Sequence, residues 1–158
     1  MIRRLTARDG EVLRDLRLRA LADAPYAFGS SLDQEAGYTS ERWEAWVADP
    51  SGVVFVATDE RRPVGMAGGY VSDGDAHLWG MWVEPGARGR GLAPALVGHV
   101  LDWAREQGVA RIDLHVTDCP EARPAAALYQ KLGFADTGKR EPLDSDPSLV
   151  TRVLAREV

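Results

Sequence analysis

Met81-Trp82-Val83-Glu84-Pro85-Gly86-Ala87-Arg88-Gly89-Arg90-Gly91-Leu92-Ala93 is the stretch on which the fold turns. Apolar residues up to Val83 read as the end of a strand. A Gly/Arg loop follows, and a helix is predicted over Gly91–Gln107. In it Leu92, Leu96, Val100 and Trp103 fall on one stripe, and Gly108 stops it. Pro94 sits in the first turn, where a missing N–H costs little. Glycines let the backbone approach a ligand and turn several N–H groups toward one point. The helix start adds unpaired N–H groups and a positive dipole end. Arg88 and Arg90 add full charge, so the segment reads as a cradle for a pyrophosphate. It lacks the Gly-Lys-Ser/Thr of a P-loop. Gly89-Arg90-Gly91-Leu92-Ala93-Pro94 begins like a dinucleotide fingerprint but has proline in the third glycine slot.

Working outward, the strands before the cradle form a meander rather than a βαβ unit. Val53–Thr58, Val64–Val71 and His77–Val83 are predicted strands, split by turns at Asp59–Arg62 and Ser72–Asp75. Upstream, Ile2–Leu5 is a short strand. Residues 7–22 are helical, with Leu13, Leu16 and Ala20 in one stripe, ending at Asp23-Ala24-Pro25. Thr39-Ser40-Glu41 caps a short helix with Trp43, Trp46 and Val47 on one side. Downstream come strand Arg111–Val116, helix Ala125–Leu132, and strands Phe134–Gly138 and Leu149–Leu154 around a polar turn, Pro142–Pro147. This order predicts a mixed α+β fold, about seven strands flanked by about four helices, with residues 1–158 as a single domain.

Bulk properties agree. The 158 residues are 45% hydrophobic and 27% charged, a composition that folds. One cysteine excludes an intrachain disulfide. No apolar run nears the roughly 20 residues that span a bilayer, and the N-terminus lacks a signal-peptide core. A cytoplasmic protein without membrane partners is expected. The net charge of −5 disfavours nucleic acid and favours a cationic ligand. His77, His99 and His115 lack metal-ligand spacing, so no metal is expected.

Two motifs carry a resemblance. Arg88-x-x-Gly91-x-Ala93 matches the Arg/Gln-x-x-Gly-x-Gly/Ala signature of the GNAT N-acetyltransferase superfamily. Leu128-Tyr129-Gln130-Lys131-Leu132-Gly133-Phe134 matches its Leu-Tyr-x-Lys-x-Gly-Phe motif. The resemblance covers roughly residues 1–156 and is weakest in the first 50. It implies acetyl-CoA as donor, its pyrophosphate on the amides of Arg88, Gly89, Arg90, Gly91, Leu92 and Ala93. It also implies a splayed, mostly antiparallel sheet in which the strands holding Trp82 and His115 part. The pantetheine arm would lie between them, along Met81, Trp82 and Val83. The family often has an asparagine after its fifth main strand; Thr117–Pro124 contains none.

Acyl transfer to an amine needs a neutral nucleophile, a polarised carbonyl and a proton for the departing thiolate. Tyr129 matches the family's general acid, and a phenol near pKa 10 suits that task; its alternative is a packed helix aromatic. His77 lies near the family's frequent base position at the start of its strand, with Asp75, Glu84 and His115 as alternatives. Strict alternation puts His77, Trp79, Met81 and Val83 on one face. A backbone N–H near Trp82 or Val83 is implied for the oxyanion. Cys119 reads as an inert thiol.

The family's acceptor site implies Tyr26, Phe28, Glu35 and Trp79 as substrate-binding residues, aromatic and acidic groups that suit an amine. Trp43 and Trp46, at helical spacing, fit a core or an interface better than a substrate box. The expected activity is acetyl transfer to a primary amine of a small molecule by direct attack in a ternary complex. A protein N-terminal or lysine acetyltransferase and a non-catalytic CoA-binding domain are the alternatives. A homodimer through a sheet edge is compatible with the fold.

Overall fold

The computed structural model describes all residues 1–158. Seven strands form one sheet in the order β1-β2-β3-β4-β5-β7-β6. They are β1 (Ile2–Arg4), β2 (Gly52–Asp59), β3 (Arg62–Ser72), β4 (Asp75–Val83), β5 (Arg111–Thr117), β6 (Ala135–Leu143) and β7 (Asp146–Glu157). All neighbours are antiparallel except β4 and β5. That parallel step needs a crossover, which α4 (Leu92–Glu106) supplies. The remaining helices are α1 (Gly10–Asp23), α2 (Leu32–Ala36), α3 (Ser40–Ala48) and α5 (Arg123–Lys131).

Each sheet face has its own core. On one, Leu96, Val97, Val100 and Trp103 of α4 pack with Tyr129 of α5 on Val53, Leu78, Ile112 and Leu114. On the other, Leu13, Leu16 and Ala20 of α1 and Trp43 of α3 pack on Val54, Val56 and Met66. The stripes read from the sequence face these cores, with Leu92, Trp46 and Val47 only partly buried. Leu13 and Leu16 are fully inaccessible, so truncating either to alanine costs about 2–5 kcal/mol. Thr39 caps α3 by accepting from the Arg42 N–H at 3.2 Å.

Three details differ from the sequence reading. A fifth helix, α2, is a single turn started by Ser31, whose hydroxyl accepts from the Gln34 N–H at 3.2 Å. Five residues are too few for a periodic stripe to show. The last two strands are longer than expected, because β6 is an exposed edge with little apolar alternation.

The third difference is in β4. Met66 faces Trp82 while Gly68 faces Trp79, so β4 carries one extra residue there. Gly80 takes it up at φ +64°, a left-handed angle that glycine adopts without penalty. The alternation phase therefore reverses. Ala76 and Leu78 face the α4 side, but beyond Gly80 it is Met81 and Val83 that do so. Trp79 and Trp82 both join the α1 side. Strict alternation placed Trp79 with Met81 and Val83, and the bulge overturns that grouping.

Candidate active site

β4 and β5 pair only at Ala76 with Ile112 and His77 with Asp113. Beyond these the strands part, and a cavity of about 270 Å³ opens between them. Of its 22 lining residues 16 are hydrophobic, so it suits a narrow apolar arm and disfavours an unpaired charge. Leu78, Trp79, Gly80, Met81, Trp82 and Val83 form one wall and Leu114–Thr117 the other, with Leu128 and Tyr129 of α5 behind. Tyr26 and Phe28 of the loop after α1 complete it. That loop is pinned at two points. The Thr117 hydroxyl donates to the Tyr26 carbonyl at 2.6 Å, and the Ser145 hydroxyl to the Phe28 carbonyl at 2.6 Å.

At one end the cavity meets the start of α4, through Arg88 and Ala93. Gly89 (φ +80°) and Gly91 (φ +78°) adopt left-handed angles, and a Cβ at either would meet nothing within 4 Å. The N–H groups of residues 89–93 donate to no carbonyl of the protein. They lie at the exposed N-terminus of a 15-residue helix, so an anion with several acceptor oxygens fits them. Arg88 donates from Nε to the Val83 carbonyl (2.9 Å) and from Nη2 to Asp23 Oδ2 (3.0 Å). The Trp82 indole N–H donates to the same oxygen at 2.9 Å. Arg90 pairs with Asp59 at 2.8 Å, both largely exposed.

Tyr129 is buried, 6% exposed, and meets Phe134 edge-on with ring centroids 6.0 Å apart. Burial raises its phenol pKa well above the ordinary value, so the group stays protonated and is a donor rather than a base.

The structure brings Tyr26, Phe28 and Trp79 together in the cavity wall. Glu35 is elsewhere: it is 1% exposed and takes a bidentate bond from Arg17, Nε at 2.9 Å and Nη2 at 3.1 Å. That guanidinium lies over Phe28 (4.7 Å to the ring centroid), Trp46 and Trp79. Glu35 therefore secures the cavity wall from behind, and its charge is spent on Arg17. His77 is also outside the lining. It sits where β4 and β5 are still paired, with Nδ1 2.6 Å from Asp113 Oδ1 and its ring 4.7 Å from that of Tyr70. A base at that point would stand on the closed side of the split.

Among the alternatives, Glu84 is held by Arg62 and Arg19, which lower its pKa. Asp75 pairs with Arg111 at 3.3 Å. Cys119 is partly buried, and burial raises its thiol pKa, which makes it a poor nucleophile. His115 lines the cavity. It also lines a second cavity of about 240 Å³, beside Thr117, Glu141, Asp144 and Thr151, of whose 9 lining residues only 2 are hydrophobic. Glu141 and Asp144 went unnoticed in the sequence because a polar hairpin carries no motif; nothing in local spacing marks them. No group of His, Cys, Asp and Glu is arranged to hold a metal, and no helix is long and apolar enough to cross a membrane.

The acetyltransferase (GNAT) family profile matches residues 16–134. A mycothiol acetyltransferase from Beutenbergia cavernae is 33% identical over 122 residues, which is 75% of this chain and 39% of that protein. The chain thus spans about two fifths of that relative's length. An uncharacterized N-acetyltransferase from Mycobacterium bovis is 32% identical over 120 residues, 75% of this chain and 74% of the relative. Among solved structures, an aminoglycoside 6'-N-acetyltransferase complexed with coenzyme A superposes with a TM-score of 0.75 at 17% identity, covering 99% of this chain and 96% of that one. At that identity the likeness is one of fold.

Proposed function

The chain belongs to the GNAT acetyltransferase family, and from that premise we propose that it is an acetyl-CoA-dependent N-acetyltransferase. Its acceptor is a primary amine of a small molecule, attacked directly in a ternary complex, and residues 1–158 act as one domain. The observation that carries this is the meeting of two unlike surfaces. An apolar cavity between split strands opens onto the unpartnered amides of residues 89–93. A pyrophosphate on those amides and an apolar arm between β4 and β5 match the two halves of acetyl-CoA, a substrate that supplies an activated thioester acyl group. Arg88 and Arg90 lie at the same end, each paired with a carboxylate, Asp23 and Asp59, with which a phosphate would compete, and the Met81–Val83 wall flanks the arm.

In this reading Tyr129 gives its proton to the departing thiolate, since the buried phenol is protonated at neutral pH. A backbone N–H near Trp82 or Val83 holds the oxyanion. Tyr26, Phe28 and Trp79 shape the acceptor's approach, and Glu35 acts through Arg17. A small acceptor is favoured over a polypeptide because Thr117 and Ser145 tie the 26–28 loop down over the cavity.

Calorimetric titration with acetyl-CoA, with dephospho-CoA and NAD as controls, tests the donor. Low-micromolar acetyl-CoA binding with NAD silent is expected, followed by acetyl transfer on a panel of small amines. A folded sample that binds no acetyl-CoA overturns the reading. Binding without transfer to any amine leaves a non-catalytic CoA-binding domain in its place.

A further inference from the structure

The split between β4 and β5 has a floor. The last paired positions are Ala76 with Ile112 and His77 with Asp113. One step further along that register Leu78 comes beside Leu114, and both line the apolar cavity. Both belong to the core on the α4 side and are buried, 6% and 1% exposed. Nearer the opening on that side stand Met81, Val83 and Val116. At the rise of a strand, the wall from Val83 down to Leu78 is about 16 Å long.

The direction of a donor in this split follows from its two ends. On the acetyltransferase reading above, the pyrophosphate sits on the unpartnered amides of residues 89–93, beyond Val83. An arm that starts there and runs into the split ends with its acyl group toward Leu78 and Leu114. Leu78 and Trp79 are neighbours in β4 and face opposite sides of the sheet. Leu78 faces the α4 side, while Trp79 joins Phe28 on the α1 side. An acyl carbonyl between them has its tail toward the leucines and its free face toward Trp79, Phe28 and the arriving amine. The tail therefore meets close-packed apolar side chains. A longer tail has to displace them, and a tail ending in a carboxylate buries an unpaired charge.

We propose that Leu78 and Leu114 are specificity-determining residues: they form the floor against which the acyl group stops, and they restrict the donor to a short, uncharged acyl thioester. The inference rests on the acetyltransferase reading and deepens it, because it names what selects acetyl-CoA over its longer homologues. A closed apolar pocket discriminates an added methylene by about 10–200-fold. The floor acts on the tail of the donor alone. The amides that hold the phosphates and the wall that meets the acceptor lie elsewhere in the cavity.

The test uses the full chain and a series of CoA, acetyl-CoA, propionyl-CoA, butyryl-CoA and succinyl-CoA. Each is measured as Kd by calorimetry and, for the thioesters, as kcat/KM with the best amine of the panel. The wild type should prefer acetyl-CoA to propionyl-CoA by about 10-fold or more, and discriminate further against butyryl-CoA and succinyl-CoA. Leu114→Ala should reduce the acetyl-to-propionyl ratio by about 10-fold or more, while Kd for CoA, which has no acyl tail, stays the same. Leu78→Ala should do the same from the other strand. Should either alanine variant not fold, Leu114→Val, one methylene shorter, gives the same shift in smaller measure. A leucine that only packs the core lowers Tm without moving the ratio, so an unchanged ratio in the folded variants overturns the proposal. A wild type that takes butyryl-CoA as well as acetyl-CoA also overturns it. A wild type that binds neither CoA nor acetyl-CoA is a different failure, which removes the donor reading itself.

Discussion

Replacing Gly68 with alanine should deform the cavity from behind, and the size of the effect follows from one contact. Gly68 of β3 faces Trp79 of β4. A Cβ at Gly68 would lie 2.2 Å from Trp79 Cε2 and 2.5 Å from Cζ2. Carbon atoms rest about 3.5–4.0 Å apart, so the indole must move by more than an ångström. It is stacked on Trp46 with centroids 5.1 Å apart, Trp46 is stacked on Trp43 at 5.4 Å, and Arg17 lies over the Trp79 ring at 5.8 Å. The side facing the cavity is the open one. Overpacking of this kind costs about 1–3 kcal/mol, which lowers Tm by about 2–12 °C in a domain of this size. Gly98 in α4 is the matched control, because a Cβ there meets nothing within 4 Å. Gly98→Ala should stabilise by about 0.5–1 kcal/mol through helix propensity. The assays are thermal unfolding and acceptor KM, the latter rising in Gly68→Ala with acetyl-CoA affinity little changed. A Gly68→Ala protein that melts with the wild type and keeps its acceptor KM would refute the packing described for Trp79.

Tyr129→Phe keeps the buried ring and removes the proton donor, so kcat should fall by about 10²-fold or more while calorimetry shows acetyl-CoA affinity unchanged; equal kcat would end the general-acid role. Glu35→Gln leaves Arg17 buried without its counter-charge, which should cost about 3–5 kcal/mol, read as a lower urea midpoint. Asp9 accepts from Arg3 and from the Thr6 N–H, and the Arg3 bond above all holds its pKa down to about 2. A lowered folded-state pKa gives stability that is present above the unfolded value near 4 and is lost as pH falls toward 2. The Tm gap between wild type and Asp9→Asn should therefore be constant above about pH 5 and shrink steadily between about pH 5 and 1; a gap as large at pH 2 as at pH 7 contradicts the pairing.

Much of the architecture was legible because periodic burial writes it into the chain. The α4 stripe, the β2–β4 meander and the Gly-rich turn before α4 all depend on neighbours in sequence. The two family motifs added the split between β4 and β5 and pointed to Tyr129. What escaped depends on partners far away in the chain. Glu35 looks like a ligand for a cation until Arg17, 18 residues earlier, is seen to neutralise it. His77 and His115 are both strand histidines, and only the point where β4 leaves β5 separates them. His115 Nδ1 lies 3.5 Å from Glu141 Oε2, a contact between strands that are not adjacent in the sheet, which no local pattern encodes.

The extra residue at Gly80 divides β4 into two reading frames for mutation. Before it, even-numbered positions answer to the α4 core; after it, odd-numbered positions do. A saturation scan of this strand should show tolerance to polar substitution switching parity at Gly80. A one-residue deletion there would do what no substitution can, exchanging the faces of Met81, Trp82 and Val83 relative to the rest of the strand. Trp82 would then lose Asp23, and the wall of the cavity would be rebuilt from different side chains. Length, more than composition, is what selection has to preserve at this point of the chain.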